Sequence, residues 1–225
     1  MSNRPSPSLD PNMLASHFKA LGPDEPVLKR IKVRFTKMRS ALVGVYSVRE
    51  KNAANTMQTD LYNARKTADY TGKVSVAELK AAQDDVDWAM GSIKSLQTEI
   101  DAPLNRKGEH AAETRALLRE LKHEERRKFL VAAVKNNDTV ALAAVLTAPA
   151  YLSGIDQMAA DHFREQYHRN NNAQVLNRIE HIKGAVQLLN NAGQIFGSEC
   201  SKIMHPPGLQ KARKLEQAAQ EANNA

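Results

Sequence analysis

The chain has little of the chemistry that stabilises secreted or membrane-spanning proteins. Cysteine occurs once, as Cys200, so no disulfide can form within the chain, and this suits a reducing compartment. No run of 18 apolar residues is present, and the segment from Met1 to Pro11 lacks the apolar core of a signal peptide. The sequence therefore predicts a cytoplasmic protein with no membrane span.

Motifs that would carry catalysis or bind a metal are also lacking. The glycines follow neither the Walker nor the Rossmann pattern, and no two histidines have the i, i+4 spacing of a helical zinc site. Asp84 and Asp87 share a helix face but have no third ligand nearby. Cys200 falls on an apolar helix face, which is typical of a small buried residue rather than a nucleophile. We therefore expect no catalytic residue, no cofactor and no metal site. The seven histidines are His17, His110, His123, His162, His168, His181 and His205.

The composition favours helix over sheet. Aromatic residues make up only 5% of the chain, and alanine, leucine, lysine, arginine, glutamate and glutamine are common. These side chains lose little rotamer freedom in a helix, and no segment alternates as a strand would. The predicted fold class is all-α, built as long antiparallel helical hairpins or as an elongated helical bundle with coiled-coil-like seams.

The clearest periodic pattern extends from Val175 to Ile203, where apolar or small residues recur at alternating spacings of three and four. This spacing is typical of a helix that packs lengthwise on another helix, along a seam of roughly 40 Å. It predicts a surface for helix packing within the chain or for self-association. The large residues of this C-terminal seam are Val175, Ile179, Ile182, Val186, Leu189, Phe196 and Ile203; Gly193 and Cys200 occupy its small positions.

Turn signals divide the chain into four regions. Residues 1–23 are predicted to form a flexible N-terminal arm and a short helix over 12–20. Residues 24–102 are predicted to form a long helical hairpin, with a turn at 71–73 and a capping box formed by Ser75 and Glu78. Residues 103–205 are a helical region that ends in the long heptad helix, and residues 206–225 are a tail with little to bury.

Within residues 103–205, a basic turn at 103–108 precedes a continuous helix predicted over about 109–136. Asp138 is positioned to cap a short apolar helix over 139–147. A loop follows, in which Tyr151 and Leu152 are expected to pack against helix ends. The last helical region extends over 156–204, and its asparagines at 170–172 mark either a frayed joint or a wet face of a continuous helix.

Positive charge is concentrated in one helix. The whole chain has a net charge of +7, and residues 27–51, with eight basic residues and one acid, carry 8 − 1 = +7. Six cations within eleven residues suit phosphate binding on a rigid rod, or else pairing with Asp84, Asp85 and Asp87 of the neighbouring helix. This basic cluster wraps around the helix, and no aromatic side chain lies on its polar side to stack a base. Its members are Lys29, Arg30, Lys32, Arg34, Lys37 and Arg39.

The segment from Asp138 to Ile155, DTVALAAVLTAPAYLSGI, resembles part of a group of small helical proteins encoded among the structural genes of tailed bacteriophages. The resemblance covers these residues and the long helices around them. It implies a virion component or an assembly factor, in the bacterial host cytoplasm or in the virion, and it implies no active site.

Together these patterns predict a non-enzymatic structural or assembly protein that acts through helix–helix self-association or docking. Its expected partners are itself or other proteins of a larger assembly. The alternative is a nucleic-acid-binding protein that contacts phosphates through the basic helix 28–39.

Overall fold

The structure, a computed structural model, describes residues 4–106 and 110–223. All regular structure in these two ranges is helical, so the predicted all-α fold class is confirmed. No helix among them is long and apolar enough to cross a membrane. The elements are 3-10 helices Pro7–Leu9 and Pro11–Leu14, followed by α1 Ala15–Leu21, α2 Pro26–Ala53, α3 Asp60–Asp101, α4 Ala111–Glu120, α5 His123–Lys135, α6 Thr139–Leu146, α7 Ala150–Ser153, α8 Gln157–Asn171, α9 Ala173–Met204 and α10 Pro207–Asn223.

The chain forms two compact units. One unit comprises residues 1–90 and 181–225, and the other comprises residues 91–180. The first is called the discontinuous unit here and the second the inserted unit. The boundaries fall inside α3 and inside α9.

The discontinuous unit is built on three helices, α2, α3 and α9. Helix α2 is antiparallel to α3, because Arg30 near its start meets Asp85 and Asn52 near its end meets Thr67. Helix α3 is antiparallel to α9, since Gly72 lies against Met204 and Leu79 lies against Gly193.

The seam of α2 forms the core of this unit as the periodicity predicts. Its large side chains are at most 1% exposed, which makes the helix a central packing element. These residues are Leu28, Ile31, Phe35, Met38, Leu42 and Val45.

The hairpin turns earlier than predicted. Helix α2 ends at Ala53 and α3 begins at Asp60, so the turn lies at 54–59 and the predicted turn at 71–73 is wrong. Thr71 is fully buried inside α3 and donates its hydroxyl to the Thr67 carbonyl at 2.7 Å. Gly72 lies within α3 rather than at a turn, and a Cβ there would meet Met204 Sδ at 3.5 Å, an ordinary van der Waals contact. The predicted cap Ser75 is likewise buried within the helix.

The turn at 54–59 is defined by short polar side chains. The Asn55 side chain accepts from the Met57 backbone N–H at 3.0 Å, and the Thr59 hydroxyl accepts from the Tyr62 N–H at 3.2 Å. Such local bonds compete with helix continuation. Met57, whose spacing from Leu61 is that of a helical seam, is instead 91% exposed at this turn.

The N-terminal arm is more ordered than predicted. Leu9 and Leu14 are fully buried, and the two 3-10 helices that carry them pack against α2. The Asp10 side chain caps the second of them by accepting from the Asn12 N–H at 2.9 Å. A flexible arm is therefore wrong for residues 7–11, and the short helix predicted over 12–20 is observed as a 3-10 turn followed by α1. Residues 1–3 of the arm lie outside the described residues.

The C-terminal tail is also helical where it is described. Leu209 of α10 is buried, and Arg65 of α3 forms an ion pair with Glu216 at 2.6 Å. Among the residues of α10 whose burial is described, Leu209 is the one that is buried, which agrees with the expectation that this region has little to bury. Residues 224–225 lie outside the described part.

The inserted unit has its own core around α6. Helix α6 contacts α4, α5 and α8, and every residue from Ala141 to Leu146 is buried. Its prediction is confirmed, including the cap, since Asp138 accepts from the Ala141 N–H at 3.0 Å. Asn137 precedes the cap at φ 55°, a left-handed conformation that asparagine tolerates better than most residues.

The continuous helix predicted over about 109–136 is divided at Leu121 and Lys122 into α4 and α5. The Lys122 N–H donates to the Glu125 carboxylate at 3.1 Å, which starts α5. The Arg126 guanidinium donates at 2.8 Å to the carbonyls of Leu118 and Leu121, and also to the carbonyl of Gly154. One arginine therefore satisfies carbonyls at the end of α4 and at the turn after α7. Residues 107–109, in and next to the predicted basic turn, lie outside the described ranges.

Two further predictions for this unit concern the asparagines at 170–172 and the packing of Tyr151 and Leu152. Asn172 separates α8 from α9, so the asparagines at 170–172 mark a joint rather than the wet face of one helix. Tyr151 is 78% exposed, so its predicted packing against helix ends is wrong, whereas Leu152 is partly buried.

We predict that Arg126→Gln lowers the free energy of unfolding by about 2 kcal/mol, because it leaves helix-terminal carbonyls without their charged donor. Arg127→Gln is the matched control, since Arg127 is adjacent and exposed. Urea unfolding of both variants measures the difference. Equal stabilities would show that the Arg126 hydrogen bonds contribute nothing.

Candidate functional site

One side of the basic cluster is bound to α3 in the discontinuous unit. Asp85, which is 4% exposed, accepts from Arg30 Nε at 2.6 Å and from Arg34 Nε at 2.7 Å. Glu78 accepts from Arg34 Nη1 at 2.9 Å. The Arg30 guanidinium also lies over the Trp88 ring, 4.6 Å from its centre. These two arginines therefore join α2 to α3.

The balance of charge in this network favours the ionised pair. Burial alone would lower the pKa of Arg34, but the hydrogen bonds and negative charges of Asp85 and Glu78 outweigh it and raise the pKa. The carboxylates occupy Nε of Arg30 and both Nε and Nη1 of Arg34. The sequence-based alternative, pairing to the acidic residues of α3, is what the structure shows for Arg30 and Arg34, through Asp85 rather than Asp84 or Asp87.

The other side of the basic cluster faces the N-terminal segment. Arg39 forms an ion pair with Asp10, and Lys29 pairs with Asp24 at 2.7 Å. Lys32 lies over the Phe18 ring at 5.5 Å from its centre. The pKa of Asp10 is lowered, first by the Asn12 N–H and then by Arg39. These contacts are more exposed than those of Asp85, so solvent weakens them.

A basic concavity remains on this side. It has a volume of about 570 Å³ and is lined by Lys19, Lys29 and Lys32. Pro11, Asn12, Ala15, Phe18 and Pro23 complete its lining. Lys37, the remaining member of the basic cluster, is exposed on α2.

The C-terminal seam is used for packing within this chain. Six of its seven large residues are buried, and Val175 is partly buried. In the discontinuous unit the seam meets α3, where Leu79 reaches both Gly193 and Gly197. These side chains are therefore not available to a second molecule while the helices stay packed. The buried residues are Ile179, Ile182, Val186, Leu189, Phe196 and Ile203.

Cys200 lies in this packed seam beside Ser75 and is fully buried. Burial raises the pKa of its thiol to about 11, so the thiolate is scarce at neutral pH. The neighbouring Tyr46 hydroxyl donates to Glu199 Oε2 at 2.5 Å, and burial followed by that carboxylate raises the pKa of Tyr46. This environment is that of a packing residue, as the sequence predicts for Cys200.

The structure brings together two histidines that the sequence gives no reason to associate. His17 of α1 and His181 of α9 are 164 residues apart, yet their Nδ1 atoms are 3.1 Å apart. The rings meet edge to face with centres 5.3 Å apart. No helical spacing links the two residues, so only the tertiary fold reveals the pair. Within residues 4–106 and 110–223, no group of three or more His, Cys, Asp or Glu side chains is arranged to hold a metal ion.

The inserted unit contains a mainly apolar cavity of about 420 Å³. Leu130, Ile155 and Phe163 line it together with Met158, which is 82% exposed. His123 and His162 also line it, but no hydrogen bond joins these two rings in the described structure. Arg126, Arg127 and Asp156 line it as well, so the cavity combines an apolar surface with charged and titratable groups.

No family model matches this chain, and no curated protein or solved structure matches it significantly.

We predict that Asp85→Asn lowers the free energy of unfolding by about 3 kcal/mol, because it removes the buried counter-charge of Arg30 and leaves Arg34 with Glu78 alone. Asp84→Asn is the matched control, since Asp84 is adjacent and exposed. Urea unfolding at neutral pH distinguishes the two variants. If both variants lose the same stability, the buried ion pairs do not hold α2 to α3.

Proposed function

We propose that the protein is a non-enzymatic structural or assembly protein. The observation that supports this best is the use of the basic cluster. Arg30 and Arg34 are both bound to Asp85, and Arg34 is also bound to Glu78. These two residues, which the sequence suggests as phosphate ligands, therefore hold α2 against α3.

Contacts with partners would use surfaces outside the C-terminal seam, because that seam is filled by the chain itself. This changes the route of assembly expected from the periodicity, which included self-association through the seam. The apolar side chains that do reach solvent include Met57 at 91%, Val76 at 71% and Met158 at 82% exposure. They occur in both units, and each unit therefore has apolar surface of its own.

A second candidate function is nucleic-acid binding, and the basic concavity favours it. Its three ammonium groups lie on α1 and α2. Lys29 forms an ion pair with Asp24, whose side chain is exposed. A phosphate backbone has the charge to compete with such an exposed pair. This candidate uses Lys19, Lys29 and Lys32 rather than the two arginines bound to Asp85.

Light scattering coupled to size exclusion separates the two functions. We expect an assembly protein to show a mass that rises with protein concentration or a stable oligomer, unchanged by a duplex DNA fragment at 50 and 200 mM salt. A monomer at every concentration, with a mass that shifts only with DNA at low salt, would contradict the assembly function.

Variants that neutralise lysines test whether the basic concavity itself binds DNA. If the chain binds DNA through the concavity, replacing Lys19, Lys29 and Lys32 by Gln reduces the slope of log affinity against log salt by about 2.7, which is about 0.9 for each phosphate that the variant no longer neutralises. Replacing the exposed lysines Lys66, Lys73 and Lys80 of α3 removes the same charge and is the control. Equal effects of both sets would indicate non-specific attraction.

The finer proposal, a virion component of a tailed phage, rests on the resemblance of residues 138–155. Mass spectrometry of gradient-purified particles, from a phage that encodes the chain, tests it. We expect peptides of the chain at a fixed ratio to a major structural protein. Peptides in the lysate alone would indicate an assembly factor that leaves the particle, and peptides in neither would contradict the phage role.

A further inference from the structure

We propose that His17 and His181 form a two-histidine site for a divalent transition-metal ion of the Cu²⁺, Ni²⁺ or Zn²⁺ type. Their Nδ1 atoms lie 3.1 Å apart. A metal held about 2.0–2.1 Å from each nitrogen, at an angle of about 90–110°, places the two nitrogens about 2.8–3.4 Å apart. The observed distance lies in this range, so two ligand atoms are already at coordination spacing.

The ligands come from separate helices of the discontinuous unit, α1 and α9. Both rings are partly buried, which restricts their motion, and neither is sealed from solvent. A metal at this position would take its remaining ligands from water, since the described residues supply two. Imidazole nitrogens suit copper, nickel and zinc, and affinity for such a site rises toward Cu²⁺ in the first-row series.

Ligation through both Nδ1 atoms needs both rings in the neutral form. A neutral imidazole has one nitrogen with a free lone pair, which is the form that binds metals.

Metal binding would replace the hydrogen bond that now joins the two rings. In a neutral pair, one Nδ1 donates its proton and the other accepts it. On coordination through both Nδ1 atoms, the donor ring carries its proton on Nε2 instead. Two coordinate bonds form, one hydrogen bond breaks, and no net proton is released.

Gly184 makes room for this arrangement. A Cβ at position 184 would lie 2.6 Å from His17 Cε1, so a larger residue would force the ring to move. Gly184 is on α9 three residues after His181, hence on the same side of the helix. It is a positioning residue for His17 rather than a ligand.

The test uses the full chain without a histidine tag, after treatment with a chelator. Cu²⁺ is titrated at pH 7.5 by calorimetry in the presence of a weak competing ligand, and the electron paramagnetic resonance spectrum is recorded at one equivalent. Zn²⁺ is titrated in the same way. We expect one tight equivalent of Cu²⁺ with two coordinated imidazole nitrogens, and weaker binding of Zn²⁺.

Variants assign the site. His17→Gln and His181→Gln should each weaken the tight equivalent at least tenfold and remove one imidazole from the spectrum. Gly184→Ala should weaken it while leaving both ligands in the chain. His123→Gln is the control, because His123 is a histidine with an 85% exposed side chain, and it should change nothing.

Circular dichroism melting shows that each variant is folded, and the His181 and Gly184 variants test the site if His17→Gln does not fold. The absence of a tight equivalent would overturn the proposal. So would a tight equivalent that persists in both His17→Gln and His181→Gln, because the metal would then be bound by other histidines or by the chain terminus. The proposal does not depend on the assembly function.

Discussion

The buried carboxylate of Asp85 is the interaction on which the discontinuous unit most depends. Two guanidinium groups from α2 converge on it across the α2–α3 contact. A carboxylate that is 4% exposed would be costly without a counter-charge, and so would Arg34, whose side chain is 12% exposed, whereas Arg30 is 42% exposed. This requirement restricts how α2 lies on α3, since apolar residues spaced by three and four are compatible with several registers. The same requirement commits Arg34 and the Nε atom of Arg30 to contacts within the chain.

The long seams were predictable because they depend on local periodicity. Residues from Leu28 to Val45 and from Ile179 to Ile203 are buried where the spacing of three and four places them. The position of the hairpin turn was not. Gly72 lies between Thr71 and Lys73 and gives the signal of a turn, but it is inside α3 against Met204 of α9, a contact that only the tertiary fold supplies. The real turn contains Asn55 and Thr59, whose side chains bond locally, and Asn52 just before it bonds across the hairpin.

The candidate sites also differ in how far the sequence alone could predict them. Concentration of charge identified the basic cluster, but it could not separate a cation bound to a buried acid from one that faces solvent. Arg34 and Lys32 are two positions apart, yet Arg34 is bound to two carboxylates and Lys32 lines a basic concavity. The histidine pair could not be found at all from sequence, because contacts between residues 164 apart leave no periodic signal. Its geometry depends on α1 lying beside α9, and on the missing side chain at Gly184.

The division of the discontinuous unit into residues 1–90 and 181–225 has a consequence for synthesis on the ribosome. The α2–α3 hairpin emerges first, and its apolar seams have no α9 to cover them until the inserted unit has been made. At about 5–20 residues per second, the intervening 90 residues delay α9 by roughly 5–18 s. The inserted unit is continuous in sequence and can fold within that interval. The nascent hairpin therefore exposes its apolar seams during this interval, and a pause in translation near residue 180 would prolong that exposure.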